Sequence, residues 1–362
     1  DGAVVGQRRR QRFATARAEA LGDTMGHCLP AILFCSLAAT GAHAAEWRVQ
    51  RIAAPARVTA IETVNGQARV NAGGLWYRIE TSKSGAALHF VDAAPQADLP
   101  KADLPDGALP DGRIATGTRD IARAWLAEPT GRYDHGILGD KIEAGSLVIE
   151  TRDGKRHTVR LKDDAVFEDL QPRLADLDGN GHDDIVVVKS YLKQGSALAI
   201  VALRQGIYEI VAETPPLGGP HRWLNPAGIG DFNGDKKIDI ALVRQPHVIG
   251  ELELWTWNHA GDGRLRKSAT LPGVSNHIAG TRALDMSAVA DFDGDGILDI
   301  ALPSLDRGRM RIVAFTPAAR DIANVILPAK ATTNVALVAP KSAPPIIAVG
   351  LSDGTLALIR RD

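Results

Sequence analysis

The 362-residue chain carries a formal net charge of −1 and a pI near 6.9, a balance that gives a polyanion such as nucleic acid no foothold. Its 36 Gly, 20 Pro and short apolar runs favour many strands and turns over long helices. A chain of this length buries a large core, either as one all-β unit or as two domains.

Met25 opens a segment unlike the rest of the chain. The run from Leu29 to Thr40 is apolar, too short to span a bilayer and suited to a secretory leader, and Ala42-His43-Ala44 has the small-x-small form of a cleavage site. The expectation is a leader or signal peptide over residues 1–44, a mature chain from Ala45, and a secreted or periplasmic location. Arg8, Arg9, Arg10 and Arg12 lie upstream of it. Both cysteines, Cys28 and Cys35, fall inside the leader, so the mature chain needs no disulfide. Phe34 stands where a lipoprotein signal wants a small residue. After the leader no run is long enough for a membrane-spanning helix, so none is expected in the mature chain.

From Trp47 onward the pattern is strand and turn. Strands are expected at 47–52, 58–64, 68–70, 75–80 and 87–91, with Gly73-Gly74 as one turn. Residues 95–112 are Pro-rich, repeat Asp-Leu-Pro, and read as a surface loop. Strands resume at 121–127, 146–150 and 158–161. A repeat then becomes explicit at intervals of about 55 to 60 residues with four strand-like runs in each, which is the arithmetic of a propeller. For the middle interval the runs are 227–230, 238–243, 251–257 and 265–271. A weaker unit closes the chain between Val335 and Ile359, and Trp47–Ile52 supplies the strand it lacks.

One phrase marks the repeat. It reads Asp176-Leu-Asp-Gly-Asn-Gly-His-Asp-Asp184, then Asp231-Phe-Asn-Gly-Asp-Lys-Lys-Ile-Asp239, then Asp291-Phe-Asp-Gly-Asp-Gly-Ile-Leu-Asp299. Positions 1, 3, 5 and 9 carry side-chain oxygens, and position 7 offers a backbone carbonyl, which is the donor set of a hard cation in a tight loop. The metal-site residues are therefore Asp176, Asp178, Asn180, His182 and Asp184; Asp231, Asn233, Asp235, Lys237 and Asp239; Asp291, Asp293, Asp295, Ile297 and Asp299. The expected cofactor is structural Ca2+ at up to three sites. An EF-hand would need Glu at position 12, where Val187, Leu242 and Leu302 stand, and flanking helices, where β-rich runs stand. Lys236 occupies position 6, where a positive φ is wanted, so the second loop should bind most weakly.

These loops, each followed by an apolar run such as Ile185-Val-Val-Val188, resemble the FG-GAP or VCBS repeats of integrin α-chain propellers and of many secreted bacterial proteins. The resemblance is specific over about residues 172–305. It implies an all-β fold, a β-propeller of about six or seven four-stranded blades filling residues 45–362. Arg132 to Asp140, followed by Ser146-Leu-Val-Ile149, reads as a fourth copy whose metal loop has decayed.

In such a blade the Asp loops join the first strand to the second, so the opposite face carries the segments before the first strands. There stand Arg132, Tyr133 and His135; His221, Arg222, Trp223 and Asn225; Asn276, His277 and Arg282. The links between second and third strands add Lys189, Tyr191, Arg244, His247, Asp306 and Arg307. His, Arg and aromatic side chains in that pattern suit an anionic or carbohydrate ligand at the channel mouth, or a protein partner. The functional expectation is thus a calcium-stabilised binding or interaction module. The sequence assigns no catalytic residue, since it holds no nucleophile elbow, zinc-helix motif or phosphate loop. The alternative is a polysaccharide lyase or hydrolase using His, Arg and Tyr on the face away from the Asp loops.

Overall fold

The computed structural model describes residues 46–64, 66–81, 88–94, 104–338 and 344–361; for 81 and 88–94 only the backbone is described. The leader expected over 1–44 and residues 95–103 of the Pro-rich segment lie outside these residues. All regular structure among them is strand, apart from a 3-10 turn at Gly136–Leu138. No helix among the described residues is long and apolar enough to cross a membrane.

The strands form antiparallel sheets taken up in chain order, except that β1 (Trp47–Ile52) belongs to the last of them. The first sheet is the meander β2 (Val58–Val64), β3 (Gln67–Ala72), β4 (Leu75–Thr81), β5 (Leu88–Ala94). A nine-stranded sheet comes second, built from two shorter runs. One is β6 (Ala115–Thr116), β7 (Ile121–Thr130), β8 (Glu143–Thr151), β9 (Arg156–Arg160); the other is β11 (Arg173–Ala175), β12 (Asp184–Tyr191), β13 (Gly195–Arg204), β14 (Ile207–Glu213). The short β10 (Ala165–Phe167) joins them by pairing with both β8 and β12.

Two four-stranded meanders come next: β15 (Leu224–Gly230), β16 (Asp239–Arg244), β17 (Glu251–Trp257), β18 (Leu265–Pro272), and then β19 (Ala288–Ala290), β20 (Asp299–Pro303), β21 (Arg309–Ala314), β22 (Arg320–Ile326). The last sheet is β23 (Ala331–Val338), β24 (Ile346–Leu351), β25 (Leu356–Arg361), and its fourth strand is β1, with Trp47 opposite Arg361. The N-terminal strand thus completes the C-terminal sheet, as its sequence suggests.

The sheets pack face against face because their strands are apolar on both sides. Ile185, Val186, Val187 and Val188 are all fully buried, as continuous apolar runs demand. Phe232, Leu254, Ile300 and Val313 fill the gap between the two meanders, and Phe292, Met310, Val335 and Ile347 the gap to the last sheet. Val58, Ile61, Ala336 and Leu358 then join the last sheet to the first.

Two expectations are corrected. Within the Pro-rich segment, Leu109 is not on a surface loop: it is fully buried, and its N–H donates to the Leu126 carbonyl at 2.9 Å. Pro105 and Pro110 remove only their own N–H groups, leaving Ala108 and Leu109 free to extend the edge of β7. Residues 132–140 are not a decayed metal loop. They link the second and third strands of their run, β7 to β8, and the corresponding first-to-second link is the short turn 117–120.

Candidate functional site

In an antiparallel meander, the link from first to second strand and the link from second to third lie at opposite ends. The three Asp loops are all first-to-second links, β11–β12, β15–β16 and β19–β20. Each loop is wound by its own side chains. The position 1 carboxylate accepts the N–H of position 6, from Gly181 at 3.0 Å, Lys236 at 2.9 Å and Gly296 at 2.9 Å. The position 5 oxygen accepts the N–H of position 7, at 2.8 Å, 2.9 Å and 2.8 Å. The position 9 carboxylate reaches back to the N–H of position 2, where Leu177, Phe232 and Phe292 anchor the loop in the core. Such a turn needs a left-handed residue at position 6: φ is +89° at Gly181 and +88° at Gly296, and Lys236 adopts +66° despite its side chain.

The donor set suits a hard cation in two loops. Carboxylate oxygens of Asp176, Asp178 and Asp184 lie within 4.8 Å of one another, as do those of Asp291, Asp293 and Asp299. Asp176 Oδ1 is buried and has no hydrogen-bond partner, which is what an oxygen reserved for a cation would show. Burial, aided by the neighbouring carboxylates, pushes Asp184 up to about 7 and Asp299 up to about 7; burial likewise raises Asp239 to about 6. Loop two has Asn233 at position 3, so it carries carboxylates at two of positions 1, 3 and 9 where the other loops carry three. At position 7, the His182 ring faces Asp120 at 3.2 Å, the Lys237 ammonium lies 3.9 Å from Asp235, and the Ile297 side chain lies against Gly234 of loop two.

The opposite strand ends bring three of the sequence-marked segments together. Tyr133 Oη accepts the His221 N–H at 2.7 Å, and Asp134 faces His221 Nε2 at 2.9 Å. The rings of His135 and His221 are 5.1 Å apart, and Tyr133 lies 5.9 and 5.3 Å from them. His135 Nδ1 donates to Glu168 Oε1 at 2.6 Å. Glu168 is fully buried at the end of β10, where Ser190 and Ser196 also donate to it. Burial pushes its carboxyl up, while His135 and the serines pull it back. Nearby, burial first and Glu168 second push Glu143 up to about 10, and burial raises the Tyr133 phenol well above its usual range.

Trp223 is buried beside this group and donates Nε1–H to the Glu168 carbonyl at 3.0 Å. It packs edge-on against His277 at 4.8 Å and parallel to His247 at 6.3 Å. His277 donates Nε2–H to the Thr281 carbonyl, so its Nδ1 accepts from His247 Nε2 at 3.0 Å. Burial holds both neutral, lowering His247 to about 4 and His277 to about 3.

Most of the remaining marked residues are committed to the scaffold, whereas Arg244 Nε is buried with no hydrogen-bond partner among the described residues. Arg132 donates to the Ala165 carbonyl, Arg222 to the Leu217 carbonyl at 3.0 Å, and Arg282 bridges Asp111 and Asp140 at 2.8 and 3.1 Å. Asn225 and Asn276 are fully buried and clasp one another, each amide donating to the other's backbone carbonyl at 3.1 Å. The sequence pattern does not single out Glu168, Glu143 or Asp134. The acidic pair Glu168-Asp169, set directly after the apolar Ala165-Val-Phe167, is the available signal: two carboxylates on a buried strand must have partners.

Residues 231–302 match the family model of the FG-GAP-like repeat, a stretch that holds the second and third Asp loops whole. No curated protein matches the chain. Among solved structures, the crystal structure of the N-terminal domain of Nup159 is similar at 13% identity and a TM-score of 0.40, covering 84% of this chain and 76% of that one.

Proposed function

We propose that this chain, with FG-GAP-like repeats at its centre, is a calcium-stabilised β-propeller of six units that works as a secreted or periplasmic binding module. The match over residues 231–302 is the observation that carries the reading, since such repeats are scaffolds for interaction. The six units are the four four-stranded sheets and the two runs of the nine-stranded sheet, which β10 ties together. Calcium is the cofactor that fits oxygen-only loops at the first-to-second links. The ligand surface is the other set of strand ends. There Arg132, Arg222 and Arg282 are held by carbonyls and carboxylates, and the half-exposed His221 ring and exposed Asp134 are what a ligand meets first. Aromatic rings beside carboxylates suit a carbohydrate better than a polyanion.

The test is a binding screen of the purified protein against neutral and acidic oligosaccharides, with H221A and D134A alongside. Saturable binding to one glycan class, lost in both variants, is expected; no binding to any glycan sinks the ligand reading. Excess chelator should lower the melting temperature, and an unchanged value sinks the calcium reading.

A second reading, a polysaccharide lyase or hydrolase, is favoured by one observation. His135 held by the buried Glu168 has the geometry of a base oriented by a carboxylate. Incubation with the same glycans and analysis of chain length separates the readings: degradation abolished in H135A supports the enzyme, and intact glycans with measurable binding support the module.

A further inference from the structure

The hydrogen bonds at the mouth fix which ring nitrogens of its histidines are spent. Against a carboxylate an imidazole donates, so His135 gives its Nδ1–H to Glu168 and His221 its Nε2–H to Asp134. Each then carries a lone pair on its other nitrogen, His135 Nε2 and His221 Nδ1. A histidine whose second nitrogen is held by a carboxylate is the arrangement that orients metal-ligating imidazoles and raises their basicity. The two rings are 5.1 Å apart at a 26° tilt. Two imidazoles on one tetrahedral ion, with metal–nitrogen bonds of about 2.1 Å, have ring centres about 5 Å apart. Charge points the same way: each ring has a carboxyl group against it, Glu168 on His135 and Asp134 on His221 at the rim. Of the neighbouring cations, Arg132 is turned to the Ala165 carbonyl and to Asp163, Arg173 to Asp169, and the exposed Lys141 offsets part of the Asp134 charge.

We propose that His135 and His221 bind a divalent transition-metal ion of the zinc type, with Glu168 and Asp134 as the carboxylates that position the two rings. Solvent completes the coordination and leaves positions for a ligand. The site is chemically separate from the Asp loops. Those offer oxygen alone and suit calcium, whereas imidazole nitrogen selects zinc, cobalt, nickel or copper. The proposal therefore stands whether or not the loops hold calcium.

The experiment is a titration of the chelator-stripped full chain with Co2+ and then Zn2+, in buffer holding excess Ca2+ to fill the loops. Visible absorption bands from nitrogen-bound Co2+ should saturate at one ion per chain and vanish on addition of Zn2+. H135A and H221A should each abolish the bands. E168Q should weaken binding ten- to a hundred-fold, the range for removing a carboxylate behind a metal-bound histidine. H157A, on β9 and packed against Tyr208 away from the mouth, should bind as the native chain does. Circular dichroism checks that each variant is folded; should H135A fail that check, H221A, whose side chain is 49% exposed, carries the test. No saturable bands in the native chain, or bands unchanged in H221A, overturn the proposal.

Discussion

Asp184, Asp239 and Asp299 hold the same place in the three Asp loops, buried at the start of a second strand and tied to the N–H of position 2. Their burial gives the calcium reading a pH signature. Without a cation, a folded chain with Asp184 and Asp299 at about 7 keeps protons that the unfolded chain releases in the usual carboxylate range. A raised carboxyl favours the folded state at low pH and loses that advantage as pH rises through the folded value. His247 and His277 act in the opposite sense, since groups lowered to about 4 and about 3 stay neutral when folded but charge in the unfolded chain below its imidazole range. Between about pH 6.5 and 8 the two histidines contribute alike with calcium and with chelator, so they cancel from the comparison. Over that window Glu143, held up to about 10, acts on both forms alike, so the signature is a difference: the chelated protein should lose stability faster as pH rises than a calcium-loaded protein, whose aspartates are already ionised. Melting curves with calcium and with chelator should diverge toward the upper end of the window; parallel curves would show that no cation is held by these carboxylates.

At the scale of the element, the loops also explain what the sequence made legible. Turn and metal spacing are local, so the three loops, their left-handed positions and the strands after them could be read directly from the nine-residue phrase. The completing strand β1 was legible for a related reason, because the last unit lacked one strand and Trp47–Ile52 had no other sheet to join. Residues 132–140 misled because Asp134, Gly139 and Asp140 imitate loop composition; only the sheet order shows that β7 already occupies the second-strand place. The mouth was half legible. His135, His221 and His277 could be placed on one set of strand ends, but their partners come from residues far away in sequence, as with Asn225 and Asn276 or Trp223 and Glu168. Lys236 is a local feature with a local test. A side chain at φ +66° costs about 1 kcal/mol relative to glycine, and Lys236 adds a positive charge beside the loop. K236G should raise stability by about 0.5–1 kcal/mol in urea unfolding and tighten calcium at loop two; a less stable variant would mean that the lysine side chain makes up for its backbone.

At the scale of the molecule, the pairing of β1 with β25 is the feature that joins the first described strand to the last sheet. Six residues in continuous register, Trp47 to Ile52 against Arg361 to Leu356, join the two ends of the described chain in one sheet. The join is packed as well as hydrogen-bonded: Trp47 meets Phe292 edge-on at 6.3 Å, and Phe292 is the buried anchor of loop three. Arg361 donates to the Phe292 carbonyl at 3.3 Å and also to that of Asp293, so the C-terminal strand holds the same loop from outside. Deleting Trp47–Ile52 would leave β25 with a bare edge of backbone donors and acceptors, which is a template for pairing with another chain. The shortened protein should melt at a lower temperature and elute in part as larger species on size exclusion. A synthetic peptide of residues 46–53 added in excess should reverse both, because it refills the edge by strand addition. Loop three should lose calcium affinity in the deletion more than loop one does, since Arg361 and Trp47 brace loop three. A deletion that leaves melting, elution and the ranking of the loops unchanged would show that the sheets hold together without this closure.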